Sequence, residues 1–241
     1  MVEMSVDRNS TGEHMKARAA SNGARFLLSA GTVLAVGTTA ATAALQGGSA
    51  VTPNLLRNGG AELGPAVGDA SGVAKTIPGW VRTGRVTVVK YGSSGGFPDA
   101  TVSQAILGGK NFFAGGPTNP DSGATQTVNV ASRAAAIGAG KMTATLTGDL
   151  GGYSSQRDSL TVTASFLDAS GQKLGLLKIG PVTPAQRKSG TTLIARSAAG
   201  KVPVKTRSIQ VALTAVRTDG SYNDGYADNL KLTLTNGPAG A

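Results

Sequence analysis

Apolar and polar residues alternate at every second position through much of the chain after residue 120. Between Ser159 and Phe166, for example, Leu160, Val162 and Phe166 fall on one face and threonines on the other. A period of two is the repeat of a β-strand with one face in the core and one in water. Five segments show it clearly and predict antiparallel strands: residues 125–130, 141–146, 159–166, 208–215 and 229–235.

Less regular stretches add further strands at residues 54–56, 85–91, 111–114 and 173–179. Clusters of Gly, Asp, Asn and Pro separate these segments, as turn residues do. Pro184 to Ser189 predicts one helical turn on a connection. Eight or nine short strands spaced in this way predict an all-β fold, an antiparallel jelly-roll β-sandwich.

The N-terminal part of the chain has the order of a secretory signal. Lys16, Arg18 and Arg25 precede the apolar run FLLSAGTVLAVG, and residues 26–50 carry no charge. Small residues follow, with A-x-A-type cleavage sites at residues 41–43 and 48–50. We therefore divide the chain into an N-terminal extension and signal peptide (1–50), a sandwich domain (51–236) and a disordered tail (237–241), and we expect a secreted or cell-surface protein. A start at Met15 would give a leader of more usual length, and an uncleaved membrane anchor is the alternative to cleavage.

Composition narrows the possible chemistry. The chain has no cysteine, which excludes disulfides, thiolate metal sites and a cysteine nucleophile, and its single histidine, His14, lies in the predicted leader. The net charge of +10 would attract polyanions, but the basic residues are scattered and do not alternate with aromatics as on a nucleic-acid platform.

Two short segments match, fully or in part, the sequence motifs of functional loops. Gly92-Ser93-Ser94-Gly95-Gly96 matches G-x-S-x-G, but without a histidine beyond the leader no base can activate the serine, so we interpret it as a glycine loop. Gly108-Gly109-Lys110 lacks the rest of a phosphate loop and predicts a hairpin turn. We expect no enzyme activity.

Both ends of the domain resemble galactose-binding-domain-like modules, a jelly-roll superfamily that includes many carbohydrate-binding modules. The opening segment Asn54-Leu55-Leu56-Arg57-Asn58-Gly59-Gly60-Ala61-Glu62, followed by Ile77-Pro78-Gly79-Trp80, is similar to their first motif. The segment from Tyr226 to Leu232 is similar to their closing strand. The resemblance implies a sandwich that binds sugars on its loops.

The same resemblance implies a structural calcium ion where the first and last segments meet, held by Glu62 and Asp228. Calcium prefers six to eight hard oxygen ligands, so two carboxylates on irregular backbone suit it. The alternative is that Glu62 caps or pairs at a sandwich edge and no ion is bound.

A glycan site needs exposed rings and polar partners. Tyr91, Phe97, Tyr153, Tyr222 and Tyr226 lie in or beside glycine-rich loops, whereas the alternation places Phe166 in the core. We take Tyr153 and Tyr222 as the platform, with three polar partners: Arg157, Asp158 and Asn223.

Together these observations predict an exported, non-catalytic binding or adhesion module whose partner is a glycan or another cell-surface polymer. Two alternatives remain at this point. One is a structural or protein-interaction sandwich of the envelope or matrix, and the other is a polyanion binder whose affinity falls steeply with salt.

Overall fold

The computed structural model describes residues 50–237, and their elements follow one another as short strands with few helices. The predicted leader up to residue 49, with His14, and the predicted tail from residue 238 lie outside the described residues. The strands are β1 (Val81–Thr83), β2 (Thr87–Lys90), β3 (Asn111–Pro117), β4 (Asp121–Asn129), β5 (Met142–Gly152), β6 (Ser159–Leu167), β7 (Lys173–Ile179), β8 (Thr192–Lys201), β9 (Ser208–Val216) and β10 (Tyr222–Asn236). The helices are α1 (Ala100–Ile106), α2 (Ala134–Gly138) and a 3-10 turn (Ala131–Arg133).

The strands form two five-stranded sheets in which every neighbouring pair is antiparallel. One, the β10 sheet, has the order β2-β3-β10-β5-β8, and the other, the β9 sheet, has the order β1-β4-β9-β6-β7. The predicted antiparallel sandwich is therefore confirmed, with ten strands in the described residues instead of eight or nine. No helix among residues 50–237 is long and apolar enough to cross a bilayer.

The main core lies between the two sheets. Leu146 of β5 pairs with Leu232 of β10, and Val162 of β6 pairs with Leu213 of β9; all four side chains are buried in this layer. Trp80 belongs to it too and meets the ring of Phe113 edge to face at 5.6 Å. Period-two alternation puts these side chains inward because any other register would expose them to water.

A second buried layer covers the outer face of the β10 sheet. Val88 and Phe113 point into the main core, whereas their chain neighbours Val89 and Phe112 belong to the second layer. The connection from β2 to β3, which carries α1, packs over this face and contributes Phe97. Strands β2 and β3 are thus buried on both faces, which explains why their sequences do not alternate.

The residues at both ends of helix α1 determine where it begins and ends. The Asp99 carboxylate accepts hydrogen bonds from the backbone N–H groups of Thr101 (2.9 Å) and Val102 (3.0 Å), and Leu107 ends the helix with a left-handed φ of 57°. This N-cap is the usual aspartate arrangement. The short helix then leads directly into Gly108 and Gly109.

The sequence predicts eight of the ten strands, including β2 and β3, which are buried on both faces. The segment 173–179 is β7 as predicted, but β1 and β8 were not predicted, because β1 is only three residues long and most of β8 consists of small residues. The predicted strand at 54–56 is an irregular segment that hydrogen-bonds to β10. The predicted helical turn at 184–189 is a hydrogen-bonded turn, with the Ser189 N–H donating to the Pro184 carbonyl.

Leu232→Ala should destabilise the fold by about 3 kcal/mol, since Leu232 is fully buried at the centre of the β10 sheet and the substitution leaves a cavity. Urea unfolding followed by far-ultraviolet circular dichroism measures this. Leu176→Ala is the control, because Leu176 is 44% exposed on β7, and it should cost less than about 1 kcal/mol. Equal costs for the two variants would contradict the assignment of the core.

Candidate functional site

The two segments that resemble the sugar-binding modules lie against each other. Strand β3 pairs with β10 only as far as Ala227, and beyond that point residues 52–59 occupy the same edge of β10. The Asn54 side chain replaces a peptide group there: its Oδ1 accepts from the Leu232 N–H at 3.0 Å and its Nδ2 donates to the Leu230 carbonyl at 3.0 Å. The opening motif therefore completes the β10 sheet.

The contacts of Gly59 and Asn58 explain why these two residues occur in that motif. A Cβ at Gly59 would lie 2.0 Å from the Leu230 carbonyl oxygen, so this contact requires glycine. The Asn58 side chain donates to the Pro78 carbonyl at 3.1 Å, and the Trp80 indole donates to the Asn58 carbonyl at 3.2 Å. The motif thus joins the closing strand on one side and the Ile77-Pro78-Gly79-Trp80 segment on the other.

Glu62 and Asp228, the predicted metal ligands, are brought together by this pairing. Glu62 Oε1 accepts from the backbone N–H groups of Lys110 (2.8 Å) and Asn111 (2.9 Å). Asp228 is fully buried, and its Oδ2 accepts from the Tyr91 hydroxyl at 2.7 Å. Both carboxylates therefore hold the chain that leads from α1 to β3 and the end of β2.

Asp228 is an unusual carboxyl group. Burial raises its pKa to about 8, the hydrogen bonds from Tyr91 and the Asn229 backbone oppose the shift, and the nearby carboxylates of Glu62 and Asp149 reinforce it. Asp149 itself accepts from the Asn229 side chain at 2.9 Å. A cation bound beside these three carboxyl groups would favour the charged form of Asp228.

Two side-chain oxygen atoms and the side chain of Glu62 lie near Gly60. A Cβ on Gly60 would meet Asp228 Oδ1 at 3.7 Å, Glu62 Cγ at 3.9 Å and Asn229 Oδ1 at 4.0 Å. Within residues 50–237 no three acidic or histidine side chains form a metal-binding group, so an ion here would use two carboxylates with carboxamide and carbonyl oxygens. That donor set fits calcium in type, because calcium accepts mixed hard oxygens at an irregular turn.

A cavity of about 580 Å³ opens next to these carboxylates. Its volume is in the range of small-ligand sites. Tyr91 forms part of its wall, and most of its other side chains are polar. The lining residues are Gly64, Ala66, Lys90, Tyr91, Ala100, Ser103, Gln104, Gly109, Lys110 and Asn111.

Asn111 is the most constrained polar side chain of this cavity. It is only 8% exposed, yet its carboxamide has no hydrogen-bond partner among the described residues. Ser103, equally buried, donates its hydroxyl to the Gly109 carbonyl at 2.6 Å. The Asn111 carboxamide is not among the buried side-chain atoms without a partner in residues 50–237, so it keeps accessible surface on the cavity and can bind a polar group there.

The predicted platform residues Tyr153 and Tyr222 lie on the same side of the sandwich, both packed against the second layer. Tyr222 is partly buried with its ring 5.2 Å from Phe97, and its hydroxyl is buried without a partner in the described residues. Tyr153 lies against Gly96, where a Cβ would come within 2.5 Å of its ring. Both tyrosines keep part of their surface accessible, and the Tyr222 ring also packs against Phe97.

The three predicted polar partners differ in their exposure to solvent. Arg157 is exposed, with its Nε 3.5 Å from an Asp219 carboxylate oxygen. Asp158 is 1% exposed, and it accepts from the backbone N–H groups of Thr218, Asp219 and Asp224.

Asn223 is fully buried and bonds to the backbone of Pro120 and Gly225. This corrects the expectation for Asp158 and Asn223: both hold the backbone and offer no surface to a ligand. Arg157 is exposed and Tyr153 and Tyr222 are partly exposed, so these three remain the accessible members of the predicted set.

All four tyrosines of the chain belong to the second layer or pack against it. Tyr226 and Phe97 had been expected beside open loops, but Tyr226 is fully buried and Phe97 is 7% exposed. The β2–β3 connection covers them. Sequence could not show this, because the covering segment is itself rich in glycine and looks like an open loop.

The cavity residues Lys90, Tyr91, Lys110 and Asn111 were not predicted as a site. Their signal is that polar residues stand at adjoining ends of two strands, since Lys90 pairs with Asn111 across β2 and β3. The pairing itself could not be derived from the sequence, because a connection of twenty residues separates the strands.

Comparison with known proteins finds no matching family model and no matching curated protein. One solved structure similar to this chain is the enzymatically active domain of tailspike protein 4 of bacteriophage CBA120, with 16% identity over 77% of this chain and 21% of that one and a TM-score of 0.45. A second is a family 16 carbohydrate-binding module, with 19% identity over 74% of this chain and 99% of the module and a TM-score of 0.45. A third is TmCBM61 in complex with β-1,4-galactotriose, with 16% identity over 75% of this chain and 98% of that one and a TM-score of 0.42. This chain spans about a fifth of the tailspike chain. Carbohydrate-binding modules are thus among its structural neighbours, and the likeness concerns fold.

Asp224 makes the stability of the fold depend on pH. It is 7% exposed, and burial raises its pKa from 3.8 to about 6, with the Asp158 carboxylate adding to the shift and the Tyr226 hydroxyl and Arg187 opposing it. The folded protein therefore binds more protons than the unfolded chain between these values, and the free energy of unfolding falls as pH rises through this window.

Asp224→Asn should remove the part of that decrease contributed by this carboxyl, which is on the order of 3 kcal/mol, while the part contributed by Asp228 remains. The measurement is the difference between native and variant unfolding free energies from urea titrations between about pH 4 and pH 7. Asp121→Asn, at an exposed aspartate, is the control. A pH-independent difference between native protein and the Asp224 variant would show that this carboxyl is not the titrating group.

Proposed function

We propose that this protein is an exported, non-catalytic module that binds carbohydrate in the cavity beside Tyr91. The observation that carries the proposal is the Asn111 carboxamide, which lines the cavity and makes no side-chain hydrogen bond within residues 50–237, so it can bind a polar group of a ligand. The Gln104 carboxamide and the Tyr91 ring lie on the same cavity. Sugars combine hydroxyl groups, which amides bind, with apolar ring faces, which aromatic rings cover.

The residue types support the absence of catalysis. The whole chain has no cysteine and only His14, so neither a thiolate nor an imidazole from the sandwich can act as nucleophile or base. The G-x-S-x-G match lies in turns, and Ser93 donates to the Lys90 carbonyl at 2.7 Å. It is not the strand–turn–helix elbow that presents a nucleophilic serine.

Export is supported by the uncharged, apolar segment that follows Arg25. A cysteine-free sandwich folds without oxidative steps, which suits a protein translocated before it folds. A chain with a cleaved leader would release the sandwich as a secreted or surface-bound protein.

A calcium ion beside Gly60 is part of the same proposal. Glu62, Asp228 and Asn229 would hold it, and when bound it would supply a charge that links the opening motif to the closing strand. These residues also hold Tyr91, Lys110 and Asn111 on the cavity wall, so the ion would stabilise the site without contacting the ligand.

Asn111→Ala should weaken binding of the best ligand from a glycan array about tenfold, the effect of losing one buried hydrogen bond. Calorimetric titration of the full chain measures the change, and prolonged incubation should release no product. Gln210→Ala, on the exposed outer face of the β9 sheet, is the matched control. If Arg157→Ala abolishes binding while Asn111→Ala does not, the site is the loop surface predicted from sequence.

Saturating calcium should raise the melting temperature by about 5–10 °C at a hundredfold excess over Kd. Asp228→Asn and Glu62→Gln should each remove this shift, because the carboxylate charge is lost while the side-chain shape is kept. Differential scanning calorimetry with calcium, magnesium or chelator measures it. A calcium shift that survives in both variants would place any ion elsewhere.

A further inference from the structure

We infer that the sugar bound in the cavity beside Tyr91 carries a negative charge, which Lys90 and Lys110 recognise. This inference rests on the proposed function, because it names the class of carbohydrate for that site. A sugar can be anionic through a carboxylate, as in a hexuronate, or through a sulfate ester. The shared chemistry is an oxyanion on a pyranose ring.

The fold brings the two lysines together at one end of the β2–β3 pair. Lys90 is the last residue of β2 and pairs with Asn111, and the Lys110 carbonyl accepts from the Tyr91 N–H at 3.0 Å. Both lysines line the cavity and both are exposed. Two ammonium groups therefore stand at the mouth of a cavity whose buried wall is the Asn111 carboxamide.

Neither ammonium group is neutralised within residues 50–237. The ion pair between Arg157 and Asp219 is the one found there within 4.0 Å, and it does not involve these lysines. Lysine acts on an oxyanion as a hydrated point charge with three donors, which suits the varied orientations of a sugar carboxylate or sulfate.

The nearest carboxylates are committed to other groups. Glu62 accepts from two backbone N–H groups, Asp99 caps α1, and Asp228 accepts from the Tyr91 hydroxyl. Their carboxylate oxygens accept hydrogen bonds from the backbone and from Tyr91, and none of them forms an ion pair with the exposed residues Lys90 and Lys110 within residues 50–237. An anionic ligand is thus attracted without displacing an internal ion pair.

The test is calorimetric titration of the full chain with trigalacturonate and with its fully methyl-esterified form, which has the same skeleton without the charge. The acidic trimer should bind about fivefold to twentyfold more tightly, and the preference should shrink as salt rises from about 50 to 200 mM. A galactose 6-sulfate oligomer is the second arm and distinguishes carboxylate from sulfate as the source of the charge.

Lys90→Gln combined with Lys110→Gln should remove most of the preference for the acidic trimer and leave binding of the ester within about twofold. Lys173→Gln with Lys178→Gln is the matched control, since it removes two exposed charges from β7 and keeps the same net charge as the test variant. Unchanged melting temperatures and circular dichroism spectra establish that both variants fold.

Three results overturn the inference. If the ester binds as tightly as the acid and sulfate forms, the site takes neutral sugars, and the proposed function stands without this inference. If the control variant lowers affinity for the acid as much as the test variant does, the attraction comes from the overall charge of +10. If no form binds, both the inference and the proposed function fail.

Discussion

The structure depends on hydrogen bonding between the opening segment and the far half of β10. Strand β3 ends its pairing at Ala227, and without a substitute the remaining edge of the strand would be left unpaired beside a buried core. Asn54 and the backbone of residues 52–59 supply that pairing. The arrangement joins parts of the chain 176 to 182 residues apart, and it explains two residues of the opening motif: Asn54 offers both a donor and an acceptor, and Gly59 has no room for a Cβ.

The same pairing organises the chemistry at this end of the sandwich. The β10 register shifts between Asp228 and Lys231, and Asn229 takes a left-handed φ of 50° at the bulge. Bulges redirect side chains, and here Asp228 lies beside Gly60 and Gly108 while its carboxylate accepts from Tyr91. Glu62 holds the next two backbone N–H groups of the cavity wall. One bulge thus connects the closure of the domain to the shape of its cavity.

Sequence predicts much of the fold and less of the site. Strands with one solvent-exposed face, such as β6 and β9, are predicted by alternation alone. The motif residues Glu62 and Asp228 lie near each other, as the resemblance implied. Strand β8 could not be predicted, because Ala198, Ala199 and Gly200 give no contrast between its faces. Burial of Tyr226 and Phe97 could not be predicted for a related reason, because it depends on a glycine-rich connection that folds over them. Lys90 and Asn111 could not be predicted as members of one site, because no local sequence pattern shows that β2 pairs with β3.

The separation of aromatic residues between the two layers also gives the protein two independent optical reporters. Trp80, the single tryptophan, lies between the sheets against Phe113, so its fluorescence responds to loss of the main core. The tyrosines lie on the other side of the β10 sheet, and Tyr91 borders the cavity itself. Tyrosine absorbance can therefore follow events at the cavity while tryptophan emission stays constant, and a change in both signals would mark rearrangement of the whole sandwich.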